Sequence, residues 1–380
     1  MKPMHRSKTK VHSINLKASL LICAAITASS AHGAEILKLD SGQLYDAAGW
    51  DGGVLPSTAD IGVFDSSTVT TGGGNSFSGS GYYIGGYKVT DIAGPLTING
   101  TTTYVYNGGA IDMSAATADV TFAGTLRTNG PSSGANFTMT VASGRTLTLN
   151  YLTFSRNAYT MPINGGGTIL VNGSTDGGGT NRVAFDVTGA GTTIGGTGTW
   201  KPSNTNGGYG VRMNSGTYVA PGANGVGTTS FDGSHSGQSI LNMQDGSGFK
   251  FELGTGGTIA LPSADSDMIS LASMAAGDVI FAGTSALDFF GTGSAGVFKL
   301  FDTDLDGATW SGLTLSGQEI TGGLAVSNLA SGYTSTLLMG DGTTGDAGDI
   351  YLQLTAVVPE PSVVLLGGLG LLALLRRRRA

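Results

Sequence analysis

The feature of this 380-residue sequence that most constrains its fold is an alternation of apolar and polar residues between glycine-containing turns. Phe137, Met139 and Val141 alternate with threonines, and residues 249–253 alternate apolar with charged side chains. Runs of this kind, about five residues long, are typical of half-buried β-strands. Between the two chain ends, no window of about 11 residues carries a helical apolar stripe. The pattern therefore predicts an all-β body.

The spacing of these strands indicates how they assemble. They recur about every 10 to 15 residues, with short glycine turns and no long linker, which suits a sandwich, a barrel or a solenoid. Outward positions are mostly threonine or small residues, and residues 119–125 (DVTFAGT) are echoed by residues 278–284 (DVIFAGT) without a fixed period. We predict a right-handed parallel β-helix or solenoid-like body, with a β-sandwich as the alternative.

Several phrases of the body carry a resemblance. Residues 50–56 (WDGGVLP) followed by residues 59–65 (ADIGVFD) resemble the opening of autotransporter-type β-strand repeat proteins. Residues 218–222 (YVAPG) and the strands that follow them are similar to the last coils of such passenger regions. The resemblance implies a passenger-like β-strand repeat body, which agrees with the solenoid prediction.

The C-terminal end has the composition of a sorting signal. Pro359, Glu360 and Pro361 form an extended tripeptide, because each proline fixes φ. The apolar run at residues 363–375 would form a helix about 20 Å long, short of the roughly 30 Å hydrocarbon core. Four arginines that would act as a membrane stop follow it: Arg376, Arg377, Arg378 and Arg379.

This arrangement resembles the PEP-CTERM sorting signal of exosortase substrates. The resemblance implies an exported protein that is transiently anchored in the inner membrane, processed by an exosortase-like enzyme and delivered to the cell envelope, outer surface or extracellular matrix. Pro359, Glu360 and Pro361 would be the sorting motif.

The N-terminal end predicts a signal peptide. A basic segment precedes the apolar stretch 18–28, and small residues at 31–33 suit a signal peptidase, so the mature chain would begin at Ala34. We therefore divide the chain into a signal peptide at residues 1–33, a β-solenoid-like extracellular body at residues 34–356, and a sorting signal with a short apolar helix at residues 357–380.

The composition of the body excludes several classes of function. Five of the 19 basic residues lie in the leader and four in the tail, leaving 10. One of the 26 acidic residues lies in the tail, leaving 25 and a formal net charge of −15. Such a body is a poor partner for nucleic acid. The one cysteine, Cys23, lies in the leader, so the mature chain has no disulfide and no thiolate metal site.

One segment has the spacing of a cation site. Asp302, Asp304 and Asp306 alternate with other residues and precede Gly307, like the first half of an EF-hand loop. Leu313 occupies the position of the bidentate acid, which leaves an incomplete Ca²⁺ site or a solvated acidic turn as the two interpretations. We predict no cofactor for the chain, and if Ca²⁺ binds at all, we expect it at these three aspartates.

Two classes of function remain open. The first is a non-enzymatic structural or adhesive protein of the envelope or of an exopolysaccharide matrix. The second is a polysaccharide-active β-helix enzyme, a lyase or a glycosidase, which needs a basic residue or paired carboxylates in a groove. Only 10 basic residues are scattered through the body, which favours the first class. Several tyrosines could contact sugars or simply pack in strands: Tyr82, Tyr83, Tyr87, Tyr104, Tyr106, Tyr151 and Tyr159.

Overall fold

The computed structural model describes residues 33–40, 42–67, 75–78, 82–106, 108–129, 137–154, 159–176, 183–202, 208–222, 225–234, 239–291, 293–304, 310–357 and 376. The described residues are mostly β-strand, and between residues 33 and 357 their helical content is limited to two short 3-10 turns, Ala47–Gly49 and Asp51–Gly53. No helix among these ranges is both long and apolar enough to cross a bilayer. The all-β prediction is confirmed.

The strands, numbered in chain order, are β1 Glu35–Leu37, β2 Ile61–Phe64, β3 Asn75–Ser78, β4 Tyr82–Ile84, β5 Gly86–Val89, β6 Leu96–Asn99, β7 Thr102–Tyr106, β8 Ala110–Met113, β9 Val120–Asn129, β10 Thr138–Val141, β11 Thr146–Phe154, β12 Tyr159–Asn164, β13 Thr168–Asp176, β14 Val183–Val187, β15 Thr193–Gly196, β16 Thr199–Trp200, β17 Tyr209–Met213, β18 Tyr218–Pro221, β19 Thr228–Asp232, β20 Ser239–Met243, β21 Gly248–Leu253, β22 Met268–Ala272, β23 Val279–Phe281, β24 Ser285–Gly291, β25 Gly296–Thr303, β26 Trp310–Ser311, β27 Thr314–Ser316, β28 Glu319–Gly322, β29 Leu324–Ser327, β30 Tyr333–Met339 and β31 Ile350–Ala356.

Most of these strands form three stacks of parallel strands, which we call faces. The first face contains β1, β2, β5, β8, β10, β12, β14, β17, β20, β23 and β26. The second contains β3, β6, the first halves of β9, β11 and β13, then β15, β18, β21, β24 and β29. The third contains β4, β7, the second halves of β9, β11 and β13, then β16, β19, β22 and β25.

The chain visits the three faces in turn, so each circuit is one coil of a β-solenoid. The parallel register between coils is that of a solenoid and not of an antiparallel sandwich. Coil length varies: Thr146 lies opposite Thr168, 22 residues later, whereas Ala286 lies opposite Ala325, 39 residues later. The absence of a fixed sequence period follows from this variation.

The core lies inside the coils because side chains alternate along every strand. In β11, Leu147 and Leu149 are fully buried while the threonines beside them face outward. Leu147 is stacked on Ile169 of the next coil, and the row continues as Ile194, Val219 and Phe249. Each large apolar side chain buried in this way contributes roughly 1.5–3 kcal/mol. Continuous apolar rows therefore stabilise successive coils.

Glycine is required where adjacent coils approach closely. Gly165 has φ +107°, and a Cβ there would lie 2.3 Å from the Val141 carbonyl oxygen of the preceding coil. A side chain at this corner would be excluded both by backbone conformation and by space. This explains part of the high glycine content of the body.

Residues 50–56, which resemble the opening of autotransporter-type repeat proteins, lie in the first coil between β1 and β2. Trp50 is fully buried, and its indole Nε1 donates a hydrogen bond of 2.8 Å to the Leu44 carbonyl oxygen. Lys38 is also buried: its ammonium group lies 5.5 Å from the centre of the Trp50 ring and is bonded to Asp40 and to the Gly49 carbonyl oxygen. In this structure the phrase has a packing role.

The last strands change direction. β31 pairs antiparallel with β25 on the third face, and β30 pairs antiparallel with β31. β28 and β27 extend this arrangement. The parallel stack of the third face therefore ends in an antiparallel sheet, formed by β27, β28, β30 and β31, which we call the antiparallel end.

Candidate functional site

A groove of about 420 Å³ lies on the outer surface of the second face. Its walls come from five strands of that face, from two glycines after β18, and from Asp267, which immediately precedes β22. The lining residues are Thr168, Leu170, Thr193, Ala220, Pro221, Gly222, Gly225, Lys250, Glu252, Asp267 and Phe290.

The floor of the groove is open because the strands at its centre carry little side chain. Leu170 lies opposite Gly195, which in turn lies opposite Ala220. A Cβ on Gly195 would lie 1.7 Å from the Ala220 carbonyl oxygen, so this position accepts only glycine. Larger side chains at both ends of the row and small ones between them produce the depression.

Lys250 provides the positive charge of the groove. It points outward from β21, between the buried Phe249 and Phe251. Its ammonium nitrogen lies 4.2 Å from the centre of the Tyr218 ring, a cation–π contact. No ion pair within 4.0 Å joins Lys250 to a carboxylate in the described part of the chain. The amine is therefore available to a ligand.

Asp267 is the buried carboxyl of the groove. One carboxylate oxygen accepts the Gly227 backbone N–H at 2.8 Å, and the other accepts the Glu252 N–H at 2.7 Å. Burial raises the pKa of Asp267 to about 6, with a further increase from the charge of Glu252, and these two hydrogen bonds only partly offset the rise. Because its two oxygens are bonded to backbone N–H groups on different segments, Asp267 attaches Gly227 to β21 and shapes the groove.

The tyrosines of the N-terminal half divide into two groups. Tyr87 and Tyr159 are buried, so strand packing is the correct interpretation for them. Tyr83 is exposed and stacks on Tyr104 of the next coil, with ring centres 4.3 Å apart, and Arg127 covers Tyr104 at 5.9 Å. The faces of the Tyr83 and Tyr104 rings therefore pack against each other. Tyr106 contacts Tyr83 edge-on, and Tyr151 is exposed singly, whereas nothing is described of the Tyr82 side chain.

The predicted Ca²⁺ segment lies at the end of β25. Asp302 bonds to Lys299 at 3.0 Å, and Asp304 accepts the Ser273 backbone N–H at 2.8 Å. Asp306 lies outside the described residues. Within the described ranges, no three acidic, histidine or cysteine side chains form a group suited to a metal ion. Ca²⁺ binding at this segment stays a prediction.

Sequence reasoning missed the network around Lys299. Its ammonium group contacts three carboxylates, Asp302 at 3.0 Å, Asp346 at 2.9 Å and the fully buried Asp349 at 2.6 Å. Burial alone would lower the pKa of Lys299, but the three hydrogen bonds outweigh burial and raise it. Asp349 also accepts the Thr303 N–H at 2.8 Å. The network ties β25 to the antiparallel end.

The groove residues were also missed as a site. The alternation of residues 249–253 placed Lys250 and Glu252 on an outer surface, which the structure confirms. Their proximity to Thr168 and Asp267 depends on coil lengths that no local pattern encodes.

The fold defines a parallel β-solenoid protein with a groove on one face. The family model of the PEP-CTERM protein-sorting motif matches residues 357–379. The chain is therefore a protein with a PEP-CTERM sorting signal: exported, associated with the cell envelope and processed by exosortase. No curated protein and no solved structure matches the chain.

The residues predicted for sorting fall largely outside the described part. Pro359, Glu360 and Pro361 lie outside it, as do Arg377, Arg378 and Arg379, whereas Arg376 is described. The body reaches the signal directly: β31 ends at Ala356, and the Val357 N–H donates to the Gly332 carbonyl oxygen at 2.8 Å. The predicted apolar helix at residues 363–375 is likewise outside the described residues.

Proposed function

We propose that this protein is a non-enzymatic structural or adhesive component of the cell envelope or of its exopolysaccharide matrix. The sorting signal supplies the route to the envelope. The solenoid supplies a stable body with polar outer faces, which are formed largely by outward threonine, serine and asparagine side chains on strands with buried apolar partners.

The observation that carries the proposal is that the Asp267 carboxyl group is buried and hydrogen-bonded to the backbone. A general acid or base must reach the substrate with a carboxyl oxygen, and Asp267 is only 1% exposed. Both oxygens of this carboxyl accept backbone N–H groups at 2.7–2.8 Å, so its place in the groove is accounted for by structure. The groove then supplies a binding surface.

A host strain that lacks the gene tests the proposal. We expect loss of cell-to-cell or cell-to-surface cohesion, restored by the wild-type gene. A copy with Pro359 and Pro361 both changed to alanine should express the body without restoring cohesion. Unchanged cohesion in the deletion strain would contradict a structural or adhesive role.

Processing at the tail is tested separately by intact-mass measurement. The mature protein from its host should end near Pro361, because the Pro-Glu-Pro tripeptide adjoins the apolar run. The double proline variant should keep the tail. A wild-type mature protein that retains Arg379 would contradict cleavage at this place.

A polysaccharide lyase or glycosidase is the second candidate, favoured by one observation. Lys250, Glu252 and Asp267 line the same groove, and the pKa of Asp267 is raised to about 6. An amine could accept a proton in an elimination, and a protonated carboxyl could donate one.

This candidate is tested by incubating the mature protein with the exopolysaccharide of its host. We expect no new reducing ends and no ultraviolet absorbance from unsaturated sugars. The matched comparison is Glu252→Gln, which removes the groove's half-buried, outward-facing carboxylate and keeps its shape. Product formation by the wild type that Glu252→Gln abolishes would establish the enzyme and overturn our proposal.

A further inference from the structure

Two rows of threonines on the second face lead into the groove. In one row Thr97, Thr121 and Thr148 lie opposite one another in three successive coils. In the other, Thr146, Thr168 and Thr193 do the same. Thr168 and Thr193 also line the groove, so the rows and the groove form one continuous surface.

Five of these six threonines are partly exposed, and Thr193 is buried. Each threonine lies beside a buried apolar residue of its own strand, as Thr148 lies between Leu147 and Leu149. The Thr193 hydroxyl donates to the Gly191 carbonyl oxygen at 3.1 Å. Among the described residues, no side-chain hydrogen bond engages the other five hydroxyls. They remain free to donate to a ligand and accept from it.

The spacing of the rows suits a polymer that lies along the solenoid axis. Adjacent coils of a parallel sheet are about 4.8 Å apart, and alternate residues of one strand are about 6.6 Å apart. Equivalent hydroxyls therefore recur along the axis at a step comparable to one pyranose ring of an extended glycan. Phe290, 51% exposed at the groove, adds an apolar ring against which the C–H face of a sugar can pack.

The charge of the surface favours an uncharged polymer. The threonine rows contribute no charge, and the groove adds Lys250, Glu252 and the carboxyl of Asp267. Two acids and one amine, on a body of formal charge −15, repel a polyanion. Hydrogen bonding to neutral hydroxyls has no such cost.

We propose that the second face binds a single chain of neutral polysaccharide lengthwise, with the threonine rows and the groove as one track. This inference rests on the proposed matrix role and specifies its ligand class and binding surface.

The test is affinity electrophoresis of the mature protein in gels containing dextran, hydroxyethyl cellulose or galactomannan, with alginate as the acidic polymer. The variant Thr121→Val with Thr148→Val removes two hydroxyls at nearly constant shape. Its control, Thr138→Val with Thr140→Val, removes two outward hydroxyls from β10 on the first face. Phe290→Ala is paired with Leu261→Ala, an exposed apolar residue that does not line the groove.

We expect retardation by at least one neutral polymer and weaker retardation by alginate. The Thr121 and Thr148 double variant should raise the dissociation constant about tenfold, whereas the first-face control should change it less than about twofold. Phe290→Ala should weaken binding, and Leu261→Ala should not.

Equal losses in a variant and its control, stronger retardation by alginate, or no retardation by any neutral polymer would overturn the inference. Cohesion lost in the deletion strain but fully restored by the threonine variant would reject this track while leaving the matrix role standing. Unchanged cohesion in the deletion strain would reject the matrix role itself.

Discussion

The parallel coils and the antiparallel end are stabilised by different interactions. In the coils, apolar rows run from one circuit to the next, and rings such as Phe185 and Trp200 meet edge to face at 5.2 Å between their centres. The antiparallel end has fewer buried apolar side chains and a charged network instead, in which Lys299 joins β25 to Asp346 and Asp349. In the described ranges the coils also contain ion pairs, but each joins one cation to one carboxylate, as Arg212 to Asp186, whereas the ammonium group of Lys299 contacts three carboxylates.

The difference follows from what each region must do. A parallel coil presents the same backbone pattern above and below, so nothing in the coil itself ends the stack. On the third face, β31 runs against β25 and its other edge is taken by β30. The ionic contacts of Lys299 fix the position at which the strand direction reverses. Apolar rows alone would not fix it, because another parallel coil could extend them.

The largest expected effect is in the coils. Phe185→Ala removes a fully buried ring that contacts Phe154 and Trp200, and should lower the free energy of unfolding by about 3–5 kcal/mol. Leu337→Ala in β30 should cost about 2 kcal/mol. Denaturant unfolding measures both. A larger loss for Leu337→Ala would break the contrast between the two regions.

The next effect is in the antiparallel end. Lys299→Met leaves the buried Asp349 without its ammonium partner and should cost about 3 kcal/mol. The control is Lys88→Met, which removes an exposed pair with Glu35 and should cost less than about 1 kcal/mol. Hydrogen exchange should show faster opening of β30 and β31 in Lys299→Met. Protection unchanged in these strands would show that the network does not stabilise the antiparallel end.

The two regions should also respond to opposite ends of the pH scale. The raised pKa of Lys299 means that its stabilisation is complete below the unfolded value of about 10.5 and is lost as pH rises through the folded value. Asp267 in the coils has a pKa of about 6 against about 3.9 unfolded, so the native state holds this proton more tightly. Stability from this group therefore falls as pH rises from about 4 to about 6.

The Asp267 contribution should amount to roughly 1–2 kcal/mol once solvent screening is allowed for. Chemical unfolding at several pH values measures it, with Asp267→Asn as the comparison, since asparagine does not titrate. If wild type and Asp267→Asn show the same slope between pH 4 and 6, the assignment to Asp267 is incorrect.

The smallest expected effect is that of Ca²⁺ on the junction between the regions. Asp302 is already bonded to Lys299, so millimolar Ca²⁺ should add about 1 kcal/mol or less. Thermal melting with Ca²⁺ and with chelator, in wild type and in Asp304→Asn, measures this. Identical melting temperatures in the wild type would reduce residues 302–306 to an acidic turn.

Particular residues show how far the sequence could be read. Phe249 and Phe251 were predicted inside and Lys250 outside, because alternation fixes the side of a strand on which each residue lies. The groove could not be predicted, since Thr168 and Lys250 line it from strands that lie three coils apart, and those coils differ in length. Asp302 was predicted as a cation ligand, and its bonded cation is the ammonium group of Lys299 three residues before it. Lys299 also contacts Asp346 and Asp349, which lie between β30 and β31 and come close to it because β31 pairs antiparallel with β25.

By itself, the sequence determined the strands, the side of each strand that is buried, and the sorting signal at residues 357–379, because these depend on residues close together in the chain. The tertiary structure decided which coil lies on which, where the parallel stack ends, and which charges meet. Those outcomes depend on coil length and on contacts between residues 22 to 53 positions apart, because the partners are set by how many residues each coil contains and not by the local pattern.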